Sequence, residues 1–154
     1  MNLIVKNDYE EMSEYTAKIL YDILITNEPL NIALTGGKTP IRAYEILAEM
    51  LKNKKIVNKK IYNFDEIEYK NSEIKFGATK NELRQIILDK IDLSQSSFIH
   101  LNTKNYEQWN DIVKSNGGLD IIFIGLGADG HFCGNLSGEV EFGSKIRLIK
   151  IPQN

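Results

Sequence analysis

The segment Gly125-Leu126-Gly127-Ala128-Asp129-Gly130-His131 follows directly on the apolar run Leu119-Asp120-Ile121-Ile122-Phe123-Ile124. The run reads as a strand. A glycine-rich turn after it sets Asp129 and His131 at the strand's carboxyl end, where open α/β sheets hold their ligands. Aspartate can orient an imidazole and stabilise its protonated form, so the pair suits proton transfer to an oxygen or a water near neutrality. The plain alternative is a loop histidine satisfied by backbone groups.

A second junction, Thr35-Gly36-Gly37-Lys38-Thr39-Pro40, lies between an apolar strand and a helix start. Glycines let main-chain N–H groups close on an anion, and the helix N-terminus adds partial positive charge. Thr35, Lys38 and Thr39 supply further donors, and Arg42 lies one turn on. The segment is not a P-loop, because the glycine that motif requires falls at Ile32. Phe64-Asp65-Glu66 ends a third strand, so its carboxylates face the same rim. One of them could move a proton to or from a substrate carbon, or the pair could simply cap a turn or helix. Together the junctions point to an enzyme acting on a small phosphorylated molecule.

Other chemistries fit poorly. Gly125, Gly127 and Gly130 match the dinucleotide fingerprint in letters only: Gly134 and Gly138 interrupt the segment that would have to be helical. Asp129, His131 and Cys133 lack the spacing of a standard metal site, so no metal is expected. Cys133 reads as a small buried residue rather than a nucleophile. His100 ends a short strand with no visible partner and reads as structural.

The chain has 154 residues, enough for one domain over 1–154, and its net charge of −2 comes from interspersed acids and bases. No basic block supports nucleic-acid binding, and no apolar run approaches the roughly 20 residues of a membrane span. A single cysteine and no evident signal peptide make a reducing cytoplasm the expected compartment. Homo-oligomerisation is left open.

The elements that must position the motifs alternate between strand and helix. Leu3-Ile4-Val5 reads as a short strand. Asn7 or Asp8 then caps a helix to about Thr26, whose apolar positions Met12, Tyr15, Ile19 and Ile23 recur at helical spacing. Strand Leu30–Leu34 precedes a helix opened by Pro40. Strands at 60–64 and 97–100 flank a helix over about Thr79 to Lys90. A helix over Asn105 to Lys114 closes at Asn116-Gly117-Gly118, before the run at 119–124 and a last strand at 146–151. This order predicts an α/β fold: an open, mostly parallel sheet with right-handed crossovers, its apolar runs at 30–34 and 119–124 central and covered on both faces.

The three motifs, in this order and spacing, resemble the family of glucosamine-6-phosphate deaminases (isomerases) and 6-phosphogluconolactonases. The resemblance implies a Rossmann-like sheet and a hexose-phosphate substrate, with no redox cofactor. It implies that Thr35, Gly36, Gly37, Lys38, Thr39 and Gly127 bind the substrate and its phosphate. The residue matching Asp65 would shuttle a proton between adjacent sugar carbons, and His131, held by Asp129, would assist ring opening. Two features depart from the deaminases. Leu136 stands where they carry a glutamate, five residues after the histidine, and family chains continue well past Asn154, so the family's C-terminal part is expected to be lacking. The lactonase branch does not need that glutamate, but it usually has arginine directly after Asp-Glu, where this chain has Ile67. The deaminase branch is therefore the expectation. A lactonase-type hydrolase and a non-catalytic sugar-phosphate-binding module are the alternatives.

Overall fold

A computed structural model describes residues 2–68, 77–127, 130–135, 141 and 143–149. Helix α1 (Tyr9–Leu24) starts where Asp8, in extended conformation, accepts a hydrogen bond from the Glu11 N–H at 2.8 Å. Such a cap contributes about 1 kcal/mol. Strand β1 (Leu30–Leu34), helix α2 (Ile41–Met50) and strand β2 (Lys55–Asn63) follow. Then come α3 (Ala78–Ile86), β3 (Asp92–Ile99), α4 (Trp109–Ser115) and β4 (Ile121–Ile122).

The strands form one parallel sheet in the order β3-β2-β1-β4. Alternation along the strands divides the core. Ile32, Leu34 and Ile61 pack with Ala17, Leu20 and Leu24 of α1, Tyr44 and Leu47 of α2, and Leu83 of α3. Ala33 and Tyr62 point the other way, against Leu101 and Trp109. The Tyr62 and Trp109 rings meet edge to face, with centroids 6.1 Å apart. Helices thus cover both faces. Leu34 pairs with Asn63 and Tyr62 with Ile99, so the chain leaves β1, β2 and β3 along one rim.

Several expectations change. Leu3, Ile4 and Val5 are exposed and form no strand, because no described neighbour offers them a ladder. The face that α1 buries is Ser13, Ala17, Leu20 and Leu24, while Met12 and Ile19 are exposed. Small residues at 13 and 17 let the helix approach closely, and Ser13 Oγ satisfies itself on the Tyr9 carbonyl at 2.7 Å. The run at 119–124 is not central: among the described residues it pairs on one side only, with β1, leaving Ile122 and Ile124 about half exposed. Residues 146–149 are not a strand, and 150 and 151 lie outside the described residues.

Candidate active site

The loop after β1 is built by its neighbours. Thr35 is buried, and its carbonyl accepts a hydrogen bond from the buried Tyr44 hydroxyl at 2.8 Å. From α1, the Tyr9 hydroxyl donates to the Thr39 carbonyl at 3.0 Å and braces the loop's far side. Gly37 has φ +90°, a conformation that glycine adopts without strain. Lys38 and Thr39 are exposed. Arg42, expected near this loop, points elsewhere: its guanidinium holds Glu10 of α1 at 2.6 Å and Glu45 at 3.3 Å. Two carboxylates within reach on helix surfaces claim it.

The first loop and the loop after β4 meet. A Cβ added to Gly125 would lie 3.6 Å from both Thr35 Cγ2 and Thr39 Cβ. The turn beyond is closed by Gly127 N–H on the His131 carbonyl at 2.8 Å and by Gly130 N–H on the Gly127 carbonyl at 2.9 Å. Leu126 bridges Phe132 in antiparallel fashion. The His131 side chain is exposed. Asp129 and Leu136 lie outside the described residues.

The loop after β2 separates its two carboxylates. Glu66 turns inward and accepts hydrogen bonds from the N–H groups of Ile67 (2.9 Å), Thr79 (2.8 Å) and Lys80 (3.0 Å). It thereby caps α3, whose own N-cap residue, Gly77, has no side chain to do so. A Cβ at Gly77 would overlap the Glu66 carboxyl. Burial pushes the Glu66 carboxyl above its ordinary range despite these donors.

Asp65 has one buried oxygen, Oδ1, with no hydrogen-bond partner among the described residues. Burial raises its proton affinity; a hydrogen bond from the Gly134 backbone opposes this, and the Glu82 charge adds to it. Gly134 lies three residues after His131, so the loop carrying the histidine also touches the aspartate. Asn63, fully buried, fixes this arrangement. Its amide donates to the Asp65 carbonyl (3.0 Å) and to Glu66 (3.2 Å), and its oxygen accepts from Leu101 N–H (2.9 Å). A partly desolvated carboxylate with an unengaged oxygen can accept a proton from carbon at moderate pH.

Cys133 sits beside this carboxylate. Burial, and then Asp65, push its thiol up to about 12, which keeps it protonated and a poor nucleophile. His100 is not isolated: its Nε2 lies 3.1 Å from Lys80 Nζ. Burial and then the Lys80 charge push the imidazole down, so the ring is neutral and accepts from the ammonium. An apolar hollow of about 520 Å3 is lined by Phe64, Trp109, Val113, Leu119 and Ile146 among others. None of Thr35, Lys38, Thr39, Asp65 or His131 lines it. It is a packing concavity beside α4 rather than a place for proton transfer.

Sequence reasoning missed Glu82. From the second turn of α3 its Oε2 accepts the Gly37 N–H at 2.7 Å, in the middle of the first loop. A Cβ at Gly36 would stand 2.7 Å from that same oxygen and 3.1 Å from Thr79 Cγ2, so the missing side chain at Gly36 makes room for the approach. No spacing rule marks a helical glutamate that reaches 45 positions back along the chain.

A parallel α/β sheet whose glycine-rich and acidic loops meet along its carboxyl rim defines the class: an open-sheet domain of the kind that binds small ligands at strand ends. The profile of the glucosamine-6-phosphate isomerases/6-phosphogluconolactonase matches residues 6–147, and the chain belongs to that family. It is 31% identical to a glucosamine-6-phosphate deaminase of Clostridium acetobutylicum, over 99% of this chain and 66% of that protein. Against the deaminase of Dictyostelium discoideum it is 30% identical, over 100% of this chain and 63% of the other. Among solved structures, a monomeric glucosamine-6-phosphate deaminase matches with a TM-score of 0.69 at 25% identity, over 86% of this chain and 58% of that one. The 6-phosphogluconolactonase of Trypanosoma brucei shares the fold, with a TM-score of 0.62 at 18% identity over 88% of this chain and 63% of that one. The chain thus spans about 63–66% of the length of these two deaminases. Among the described residues, no helix is long and apolar enough to cross a membrane.

Proposed function

We propose that this domain carries the proton-transfer half of a cytoplasmic sugar-phosphate isomerase/deaminase acting on an amino-hexose 6-phosphate. The observation that carries the reading is the buried Oδ1 of Asp65, unpartnered among the described residues, in a loop touched by the segment that bears His131. In this reading the Gly36 and Gly37 amides, with Thr35, Lys38 and Thr39, hold the phosphate, and Gly127 lines the substrate side. His131, oriented by Asp129, takes the proton of the anomeric hydroxyl and delivers one to the ring oxygen, and the pyranose opens to the aldehyde. Asp65 then removes the proton from the amino-bearing carbon and returns it to the neighbouring former carbonyl carbon. The resulting ketose imine takes up water and releases ammonia, leaving the ketose phosphate. The sequence balances with water as the only co-reactant, so no redox cofactor or metal enters.

A second reading, hydrolysis of a phosphorylated lactone by water activated at His131, draws support from Leu136, which offers no carboxyl for the ring-opening relay. The test is calorimetry with glucosamine 6-phosphate, galactosamine 6-phosphate and 6-phosphogluconate, followed by assays for ammonia, ketose and lactone hydrolysis. Binding of an amino-hexose phosphate with ammonia release is expected. Asp65→Asn should abolish turnover at nearly unchanged affinity, whereas Lys38→Ala should weaken affinity. No binding of any of the three by the folded protein refutes the reading. Binding with lactone hydrolysis alone moves the assignment to the second branch.

A further inference from the structure

Glu82 holds a place that a ligand anion would need. Its carboxylate oxygen is 2.7 Å from the Gly37 nitrogen, the central amide of the first loop. It is backed by Thr79 of the same helix, which crowds the loop at Gly36. The carboxylate comes from α3, an element anchored independently by Glu66 and by packing of Leu83 in the core. It is therefore presented to the loop rather than carried by it. Its charge is felt by the Asp65 carboxyl and by the Tyr44 hydroxyl under Thr35.

We propose that Glu82 is a specificity gate: an internal carboxylate that occupies the anion position of the Gly36-Gly37 loop and must be displaced by the incoming phosphate. The inference rests on reading that loop as the phosphate site. A carboxylate brings one charge and can satisfy the Gly37 amide. A phosphate monoester brings nearly two charges and three acceptor oxygens, enough to engage the amides, Lys38 and Thr39 together. Singly charged anions gain too little to expel Glu82, so the gate selects for the phosphate ester. Each binding event also carries the Glu82 charge away from Gly37, so occupancy of the loop alters the field at Asp65.

The probe is inorganic phosphate, titrated by calorimetry into the full chain and into Glu82→Gln and Glu82→Ala. Glutamine keeps an acceptor without the charge; alanine removes both. If Glu82 competes, phosphate binds roughly tenfold tighter to Glu82→Gln, and tighter again to Glu82→Ala, than to the unaltered chain; tenfold is the low end for a hydrogen bond to a charged group at a partly exposed position. A structural brace makes the opposite prediction, weaker binding together with a lower melting temperature in both variants. Equal or weaker affinity in the variants overturns the gate and leaves the phosphate loop standing. Absence of phosphate binding by all three folded proteins, with Lys38→Ala equally inert, overturns both.

Discussion

Asp65 and Glu66 are neighbours with opposite effects on stability, and a pair of substitutions separates them. Glu66→Ala leaves three main-chain N–H groups, those of Ile67, Thr79 and Lys80, without their acceptor. At about 1 kcal/mol for each lost acceptor, the expected destabilisation is roughly 3 kcal/mol. For a domain of this size that corresponds to a melting temperature lower by roughly 6–12 °C. Asp65→Asn should do the reverse. The Asp65 carboxyl has its proton affinity raised by burial, so the ionised form is disfavoured in the folded state. Its contribution to stability is present below the ordinary carboxylate pKa and is lost as pH rises through the raised value of the folded protein. At neutral pH the charge therefore works against folding, and the neutral asparagine is expected to melt at or above the unaltered protein. The advantage should shrink as the pH is lowered through that window. Thermal melts followed by circular dichroism between pH 4 and pH 7.5 measure both effects. If Glu66→Ala melts within about 2 °C of the parent, or Asp65→Asn melts below Glu66→Ala, the assignment of cap and base is wrong.

Lys59 is 1% exposed, and its ammonium donates to the carbonyls of Thr26, Glu28 and Val57 at 2.7, 2.8 and 3.1 Å. Lys59→Met keeps the stem but strands the carbonyls, so urea unfolding should show a loss of about 2–3 kcal/mol; a change below about 0.5 kcal/mol would refute the role. Arg42→Ala should leave phosphate affinity unchanged, because the guanidinium is committed to Glu10 and Glu45. A clear loss of affinity by calorimetry would return Arg42 to the site.

The sequence made the sheet legible where chemistry and geometry coincide. The apolar run at 30–34 and the glycines at 36 and 37 announce a strand and the turn that must follow it. The three rim loops could be located because each is polar or glycine-rich directly after an apolar stretch. Apolar side chains alone do not define a strand, however. Leu3-Ile4-Val5 and Ile146–Ile149 have suitable side chains but no ladder partner among the described residues, and pairing is a property of two segments. The buried face of α1 was misread because Ser13 and Ala17 carry no strong apolar signal, although their small size is what lets the helix pack. Within the site, Asp65-Glu66 was visible as a pair but not as a division of roles. That division depends on Gly77 opening a helix that lacks its own cap. Glu82 and the Lys80–His100 contact were illegible for one reason: charged residues on a helix normally face solvent, and only the crossover from β2 to β3 brings this helix against the loops.

The alignment of Leu34 with Asn63 gives the two loops a common datum. Residues added beyond that line lengthen a loop without moving its origin, so the loop after β1 can change in length among descendants of this fold. A single residue inserted upstream, within Leu30–Leu34, would shift the first turn by about 3.3 Å and invert which side chains meet each layer of helices. Tolerance to insertions should therefore change abruptly at the end of the ladder, and a library of single-alanine insertions scored for solubility would map that boundary directly.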